Sequence, residues 1–153
     1  MSVNPLPKGT QPLVPYIIVD NAAKAIEYYH KVFLAEEVTR MLGPDGKKIM
    51  HAELLLCGCM MYIADEQPDL GAKSPRSLSH SPVSFTLYCL DADKVFQRAI
   101  KAGGTVIRPM MDAFWGARHG TICDPFGHQW TLMTRKEDLT PEELEQRAKN
   151  AII

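Results

Sequence analysis

A histidine and a glutamate separated by one residue, His51 and Glu53, form the pair in this sequence best suited to chemistry. In a β-strand, residues at i and i+2 point to the same face, so the imidazole and the carboxylate would lie side by side. Such a pair suits a general base with its orienting acid, or two ligands of a divalent metal. The opposite phase of this segment is wholly apolar, which indicates that His51 and Glu53 face a cavity. The alternative is that they hydrogen-bond across the sheet or line a dimer seam.

A second group of chemically capable residues falls within residues 109–120. We interpret this segment as a long connection between strands, and long loops often carry binding residues. Trp115 is suited to stack on a ligand, and Arg118 to pair bidentately with a carboxylate or phosphonate. His119 is suited to act as an acid or a base. The alternative is a surface loop whose tryptophan packs against the linker described below or against a partner subunit.

The elements that position these residues begin with a strand, a helix and three more strands in the first half of the chain. Asp20 and Asn21 can cap a helix, which then shows apolar residues at helical spacing from Ala22 to Phe33. Residues 44–47 have the composition of a tight turn, because proline restricts φ and glycine tolerates positive φ. The predicted strands of this half cover residues 13–19, 36–42, 49–56 and 59–64.

The same unit recurs after residues 67–82, a segment of prolines, glycine and serines that is typical of a linker. Residues 23–26 align with residues 93–96, an offset of 70 residues. A helix is predicted to start after Asp91 and to end at Gly103 and Gly104. The predicted strands of this half cover residues 83–89, 105–107, 121–123 and 129–134. A ferredoxin-like βαββαβ domain is the main rival, and it explains the spacing of the helices less well.

Three residues near the C-terminus predict a further helix. Thr140 is placed as the N-cap, Pro141 as the first helical residue and Glu143 as the partner in a capping box. The predicted fold class is therefore α+β, with two βαβββ modules and a C-terminal helix. We expect a single domain over residues 1–153 that is divided into module 1 (11–66), a linker (67–82), module 2 (83–135) and the C-terminal helix (136–153).

Composition narrows the functional classes. With 46% hydrophobic and 23% charged residues over 153 positions, the chain is typical of a soluble globular protein. A formal net charge of −1 gives no electrostatic case for nucleic acid, and no apolar run approaches the roughly 20 residues of a membrane helix. Cys57 and Cys59 flank a glycine, which suits either a metal or redox pair or, as we favour, a turn between strands. Free thiols and the lack of a secretory signal indicate the cytoplasm.

A resemblance to a known family is carried by three segments: PYIIVDNAAKAIEYYHKVF, HAELLLCG and WGARHGTICDPFGHQWTL. They resemble the vicinal-oxygen-chelate superfamily, which includes glyoxalase I, extradiol dioxygenases and bleomycin-binding proteins, and within it the phosphonate-operon (PhnB-like) subgroup. The resemblance extends from about Leu13 to Glu143. It implies that each module curls into part of a half-open barrel, with the ligand on the concave side and the helices on the convex side. It also implies a homodimer.

Metal-dependent members of this superfamily place one ligand in the first strand and one in the last strand of each module. The resemblance puts these positions at Val14, Tyr62, Ser84 and Thr131, and none of them is His, Asp or Glu. Valine cannot ligate a metal, and neutral hydroxyl groups are poor ligands for divalent metals. We therefore expect no metal and no other cofactor at these positions. A divalent metal bound by other residues remains an alternative.

The leading hypothesis is a small-molecule-binding protein that sequesters a toxic compound. Its expected ligand-binding residues are Tyr62, Ser84, Thr86, Trp115, Arg118 and Thr131. The alternative is a glyoxalase-like lyase or isomerase that uses His51, Glu53 and His119, with or without a divalent metal. A third hypothesis is a scaffold or interaction protein with a residual cavity. The expected partners are a small organic ligand and a second copy of the chain, without nucleic acid or membrane.

Overall fold

The computed structural model describes residues 3–151, and the chain divides into two compact units, Met1–Ser81 and Pro82–Ile153. Each unit contains one strand–helix–strand–strand–strand module, which confirms the predicted α+β class with paired βαβββ modules and a C-terminal helix. The first unit consists of β1 (Tyr16–Val19), α1 (Ala22–Phe33), β2 (Glu36–Leu42), β3 (Ile49–Leu56), β4 (Cys59–Asp65) and α2 (Pro75–Leu78). The second consists of β5 (Ser84–Tyr88), α3 (Ala92–Lys101), β6 (Thr105–Ala113), β7 (Ala117–Cys123), β8 (Gln129–Arg135) and α4 (Pro141–Asn150).

The first sheet has the strand order β1-β4-β3-β2, with β1 parallel to β4 and the other neighbours antiparallel. Helix α1 carries the chain from one edge of this sheet to the other and packs on one of its faces. Ile17 and Leu54 are buried in strand positions that alternate with more exposed ones, and Ile63, which pairs with Ile17, is buried as well. Since successive strand residues point to opposite faces, the buried set faces α1 and the alternate set lies on the other face.

Local sequence signals set the ends of α1. The Asn21 side chain accepts a hydrogen bond from the backbone N–H of Lys24 at 3.0 Å, as expected for an N-cap. The helix ends at Leu34, which has a left-handed φ of 58° and donates its N–H to the His30 carbonyl at 3.0 Å. The apolar face predicted from helical spacing is buried at every position: Ala22, Ala25, Ile26, Tyr29, Val32 and Phe33.

The second sheet repeats this topology, with the order β5-β8-β7-β6 and β5 parallel to β8. The prediction of a long loop over residues 109–120 was wrong, because β6 and β7 form a hairpin that turns at Gly116. Gly116 supplies the positive φ of 76° that this tight turn needs. Pro109 argued against a strand at this position, because proline has no N–H to donate to a neighbouring strand. Strand β6 accommodates it as an edge strand with a register shift between Arg108 and Met111.

The two modules secure their helices in the same way. In the first module, the Asp65 carboxylate at the end of β4 accepts the N–H of Ala22, the first residue of α1, at 2.7 Å. In the second module, the Thr134 hydroxyl of β8 accepts the N–H of Ala92, the first residue of α3, at 2.8 Å. Each bond satisfies one of the backbone donors that a helix start leaves unpaired. The internal repeat predicted from the 70-residue offset therefore extends to equivalent hydrogen bonds.

A turn after β7 is organised by one buried carboxylate, Asp124. Its Oδ1 accepts the backbone N–H groups of Phe126 and His128, and its Oδ2 accepts Trp130 Nε1, each at 2.9 Å. Trp130 is only 3% exposed. Asp124 therefore fixes its own turn and also holds the Trp130 indole in place, so both residues have a structural role.

The segments on either side of the first module are held against it by hydrogen bonds. The Gln11 side-chain amide pairs with the backbone of Met60, accepting its N–H at 2.8 Å and donating to its carbonyl. The N-terminal segment is thus anchored to β4 at Gln11. In the predicted linker, Ser74 is fully buried and donates its backbone N–H to Glu66 at 2.5 Å, just before helix α2.

Helix α4 begins as predicted. Glu143 accepts the Thr140 N–H at 2.9 Å and donates its own N–H to the Thr140 hydroxyl at 3.2 Å, which completes the capping box. Among residues 3–151, no helix is long and apolar enough to span a membrane.

Candidate functional site

The face of the first sheet turned away from α1, here called the first open face, carries a row of side chains that crosses all four strands. Tyr16 pairs with Tyr62, Tyr62 with Glu53, and Glu53 with Thr39. His51 lies two residues from Glu53 and points to the same face. This row brings Tyr62, His51 and Glu53, all selected from the sequence, to one surface.

Tyr16, His51 and Glu53 form a connected polar group on the first open face. The Tyr16 hydroxyl lies 2.9 Å from His51 Nδ1, and His51 Nε2 lies 3.6 Å from Glu53 Oε1. The His51 and Glu53 side chains are 28% and 29% exposed. A carboxylate beside Nε2 favours a proton on that nitrogen, which leaves Nδ1 free to accept from the tyrosine hydroxyl. The arrangement can therefore hold the imidazole in one tautomer and orient it.

Three rings meet at this place. The ring centroids of Tyr16 and His51 are 5.5 Å apart, those of Tyr16 and Tyr62 5.7 Å, and those of His51 and Tyr62 4.9 Å, all edge to face. Tyr16 is 50% exposed, yet the burial of its phenol raises its pKa above the ordinary value. A half-exposed ring of this kind gives a ligand a flat apolar surface beside polar atoms.

Tyr16 was not among the site residues predicted from the sequence. It was counted as one member of an apolar strand, and nothing in the sequence indicates that it pairs with Tyr62. The signal that could have found it is its phase: Tyr16 alternates with Ile17 and Val19, both of which are buried. A tyrosine out of phase with the buried residues of a strand points to the opposite face.

The equivalent face of the second sheet, here called the second open face, carries hydroxyl groups in place of the tyrosines. Thr86 pairs with Thr131 and Thr131 with Thr121, whose hydroxyls are 2.9 Å apart. Ser84 pairs with Gln129 in the same phase as Thr86. This face therefore offers hydroxyl groups to a ligand, and Arg108, which pairs with Thr121, adds a positive charge beside them.

His119 lies in β7 next to the hairpin turn. It is 6% exposed, and the Trp115 ring lies against it with centroids 5.0 Å apart. Burial lowers its pKa below the ordinary value, and the positive charge of Arg108 lowers it further. His119 is therefore held mostly neutral at pH 7, which suits a proton acceptor.

Arg118 points away from His119, in the opposite phase of β7. Its guanidinium binds Asp93 of α3 through two hydrogen bonds of 2.6 and 2.8 Å and contacts Asp112 at 3.3 Å. These carboxylates raise the pKa of Arg118, and the Arg118 hydrogen bonds lower the pKa of Asp93. To bind an acidic ligand, as predicted from the sequence, Arg118 would have to exchange one of these carboxylates for it.

Residues at the family's metal positions do not fit a divalent metal. Strand β1 starts at Tyr16, so Val14 lies before it, and the residue that faces Tyr62 across the parallel pair is Tyr16. In the second module the facing pair is Thr86 and Thr131, so the donor set at these strands consists of neutral hydroxyls. Within residues 3–151, no group of three or more His, Cys, Asp or Glu side chains is arranged to hold a metal ion.

Two surface depressions have linings that include none of Tyr16, His51, Glu53 and Tyr62. One of about 430 Å³ adjoins the start of α1 and is lined by Asp20, Asn21, Ala23, Lys47, Lys48, Asp65, Glu66 and Pro68. The other, of about 510 Å³, adjoins the β6–β7 hairpin and is lined by Asp112, Ala113, Gly116, Ala117, Arg118, Lys136 and Glu137. Much of their polar lining already serves the fold, since Asp65 caps α1 and Arg118 binds Asp93. Neither gathers the aromatic and acid–base groups found on the first open face.

Comparison with known proteins agrees with this architecture. Residues 11–132 match the family model described as the Glyoxalase/Bleomycin resistance protein/Dioxygenase superfamily. An uncharacterised protein of Mycobacterium bovis is 42% identical over 136 residues, covering 87% of this chain and 89% of that protein. The PhnB protein of Bacillus cereus has a solved structure with a TM-score of 0.65 at 18% identity, covering 81% of this chain and 99% of the other. The fosfomycin resistance protein FosX of Listeria monocytogenes aligns with a TM-score of 0.62 at 16% identity, covering 88% of this chain and 98% of the other.

Proposed function

This chain belongs to the glyoxalase/bleomycin resistance protein/dioxygenase superfamily, and from that premise we propose that it binds a small organic molecule on the first open face. The observation that carries the proposal is the group of Tyr16, His51 and Tyr62 rings beside the Glu53 carboxylate. Small-molecule sites combine apolar and aromatic walls with a few placed polar groups. The proposed role is sequestration of a toxic compound. The family description names bleomycin resistance, and FosX is a fosfomycin resistance protein.

The rings of the first open face are held in a fixed geometry although they add little to the hydrophobic core, and this supports the proposal. The fold already has a buried core on the α1 side of the sheet, so partly exposed rings on the other side add little to that core. Tyr16 and His51 are nevertheless held in one geometry by a 2.9 Å hydrogen bond. Side chains that are ordered before binding lose less conformational entropy when a ligand arrives.

On the second open face we propose that Ser84, Thr86 and Thr131 donate or accept hydrogen bonds with a ligand. Their positions in β5 and β8 put their hydroxyls in one phase. Trp115, which is 39% exposed, is proposed to stack on an apolar part of a ligand. Arg118 is assigned to hold the hairpin against α3 while it remains bound to Asp93.

A second candidate function is acid–base catalysis of the lyase or isomerase kind, and one specific contact favours it. The 2.9 Å bond from the Tyr16 hydroxyl to His51 Nδ1 gives the phenol a neighbouring proton acceptor, with Glu53 behind the imidazole. In this function Tyr16 or His51 would exchange a proton with a bound substrate. In the second module, His119, whose pKa is lowered by burial, is proposed as a separate proton acceptor. An off-pattern divalent metal at His51 and Glu53 belongs to this alternative as well.

We further propose that the protein is a homodimer of the cytoplasm. Edge strands β2 and β6 expose apolar side chains, among them Val38 at 54% and Ile107 at 50%, and an exposed apolar edge strand can pair with a strand of another chain. The cysteines are free, with Cys57 and Cys59 exposed, which suits a reducing compartment. A monomer mass by light scattering at micromolar concentration would refute the dimer.

The binding function is tested by a compound screen that follows thermal unfolding. A compound that binds the first open face should raise the Tm of the wild type, since a ligand at about 100 times its Kd adds about 2.7 kcal/mol. The rise should be lost in Tyr16→Leu and in Tyr62→Leu. Tyr88→Leu, which alters an exposed tyrosine of β5, should keep it. Compounds whose effect survives both first-face variants, or is lost only in Tyr88→Leu, would contradict the assignment to this face.

A further inference from the structure

The charges on the first open face have one sign. Pairing places Glu36 opposite Leu55 and Glu53 opposite Tyr62, so both carboxylates belong to this face. The strands β1 to β4 contain one Lys or Arg, Arg40. It lies opposite Ala52 on the α1 side of the sheet and binds Glu37 there at 2.6 Å. The permanent charges among the strand residues of the first open face are therefore acidic, and none of these residues is a Lys or Arg.

The ring cluster leaves aromatic faces uncovered. Tyr16, His51 and Tyr62 form three edge-to-face pairs, with interplanar angles of 70°, 83° and 69°. An edge-to-face pair covers one face of one ring, so these contacts occupy at most half of the faces in the cluster. The 50% exposure of Tyr16 shows that part of the remainder is open to solvent. The face of a tyrosine ring carries partial negative charge, which attracts a cation placed over it.

From these two features we infer that the ligand of the first open face is an organic cation: an alkylammonium or protonated amine. The tyrosine rings would contact its alkyl or N-methyl groups, and the Glu53 carboxylate would balance its charge. Glu53 suits this role because it is held 3.6 Å from His51 Nε2 and remains partly exposed. This inference rests on the proposed binding function, and it adds the charge of the ligand.

A neutral or an anionic ligand would fit the first open face less well than a cation. A neutral ligand of the same shape would keep the ring contacts and lose the attraction to Glu53. An anion would meet two carboxylates, Glu36 and Glu53, with no Lys or Arg among the strand residues beside them. Bringing like charges close together costs free energy, and this cost is larger where the site excludes water. The surface therefore discriminates by charge rather than by shape alone.

The test uses three probes of nearly equal shape: choline, 3,3-dimethylbutan-1-ol and 3,3-dimethylbutanoate. Each is titrated into the full-length protein, while the ring resonances of Tyr16, His51 and Tyr62 are followed by NMR. Choline should shift these resonances saturably, with an affinity about tenfold higher than that of the neutral alcohol. The carboxylate should cause no saturable shift.

Two substitutions separate charge from ring contact. Glu53→Gln keeps the side-chain size and should reduce the choline affinity about tenfold, to that of the alcohol. Tyr16→Leu should weaken choline binding while Tyr16→Phe, which keeps the ring, should not. Glu27→Gln is the matched control, because it removes the same charge from the exposed side of α1 and should leave choline affinity unchanged.

The possible results of this experiment distinguish the cation inference from the proposal of small-molecule binding. Equal or tighter binding of the alcohol or the carboxylate at the same rings overturns the cation inference and leaves small-molecule binding intact. The absence of saturable ring shifts with choline also overturns the cation inference. The binding function is then judged by the compound screen alone. An equal loss of choline affinity in Glu53→Gln and Glu27→Gln would show a general charge effect and would likewise overturn it.

Discussion

His51 and His119 occupy equivalent positions in the two modules, each lying opposite a methionine of the neighbouring edge strand, Met41 and Met111 respectively. Their surroundings differ. His51 is partly exposed between a tyrosine hydroxyl and a carboxylate, whereas His119 is buried beside Trp115. The internal repeat thus supplies two similarly placed imidazoles, and the neighbouring side chains give them different chemical properties.

The burial of His119 predicts a measurable pH dependence. Its pKa lies below the ordinary value, first because of burial and second because of Arg108. The unfolded chain therefore binds more protons than the folded one between the lowered pKa and about 6.5. The contribution of His119 to stability is fully present above about pH 6.5 and is lost as the pH falls toward the lowered pKa. Trp115→Ala should raise the His119 pKa by exposing the imidazole, as measured by NMR titration.

Phe114→Ala is the control for this titration. Phe114 contacts Trp115 with ring centroids 5.0 Å apart, so its removal perturbs the same turn while Trp115 remains beside His119. The His119 pKa should change little. An equal rise of the pKa in both variants would show that disturbance of the turn, rather than cover by Trp115, sets the protonation of His119.

Tyr16→Phe should change the His51 imidazole more than the fold. The substitution removes the hydroxyl that lies 2.9 Å from Nδ1 and keeps the ring. We expect a shift of the Nδ1 resonance in nitrogen NMR and a loss of stability of no more than about 1 kcal/mol, because the bond is partly exposed. Tyr62→Phe should leave the Nδ1 resonance nearly unchanged, since it preserves the Tyr16–His51 bond. Equal shifts in both variants would refute a specific Tyr16–His51 interaction.

Asp124→Ala should destabilise the protein strongly. It removes the acceptor of two backbone N–H groups and of Trp130 Nε1 in a buried turn, which costs about 3 kcal/mol or more in the free energy of unfolding. Denaturant titration followed by tryptophan fluorescence measures the change. Asp45→Ala is the matched control: Asp45 also accepts two backbone N–H groups, from Lys47 and Lys48, in an exposed turn. Its effect should be much smaller, and a comparable loss would contradict the role of burial.

Gly120→Ala tests the packing of α3 on the β6–β7 hairpin. A Cβ at this position would lie 2.6 Å from Met110 Sδ and 2.9 Å from Phe96 Cε2. Such overpacking should cost about 1–3 kcal/mol of unfolding free energy, measured by denaturant titration. Gly43→Ala, where a Cβ would meet its neighbours at 3.4 Å, should have a smaller effect. A neutral Gly120→Ala would mean that Met110 and Phe96 can move aside.

Features that depend on neighbouring residues in the chain could be predicted from the sequence. The cap at Asn21, the capping box of Thr140 and Glu143, and the turn at Asp124 are all formed within six residues. The apolar face of α1 likewise follows from helical spacing. The β6–β7 hairpin could not be predicted, because Pro109 and the register shift interrupt the strand pattern of β6. The pairing of β6 with β7 compensates for both.

The paired modules, their repeat and the common face of His51 and Glu53 could all be derived from the amino-acid sequence. Those properties follow from side-chain spacing, and strand alternation converts spacing into direction. The contact partners of these side chains, by contrast, depend on how the strands and helices are arranged in the fold. Tyr16 reaches His51 from 35 residues away because β1 pairs in parallel with β4 beside β3. Arg118 meets Asp93 because α3 packs on β7. Contacts of this kind depend on strand order and helix packing, which local spacing does not encode.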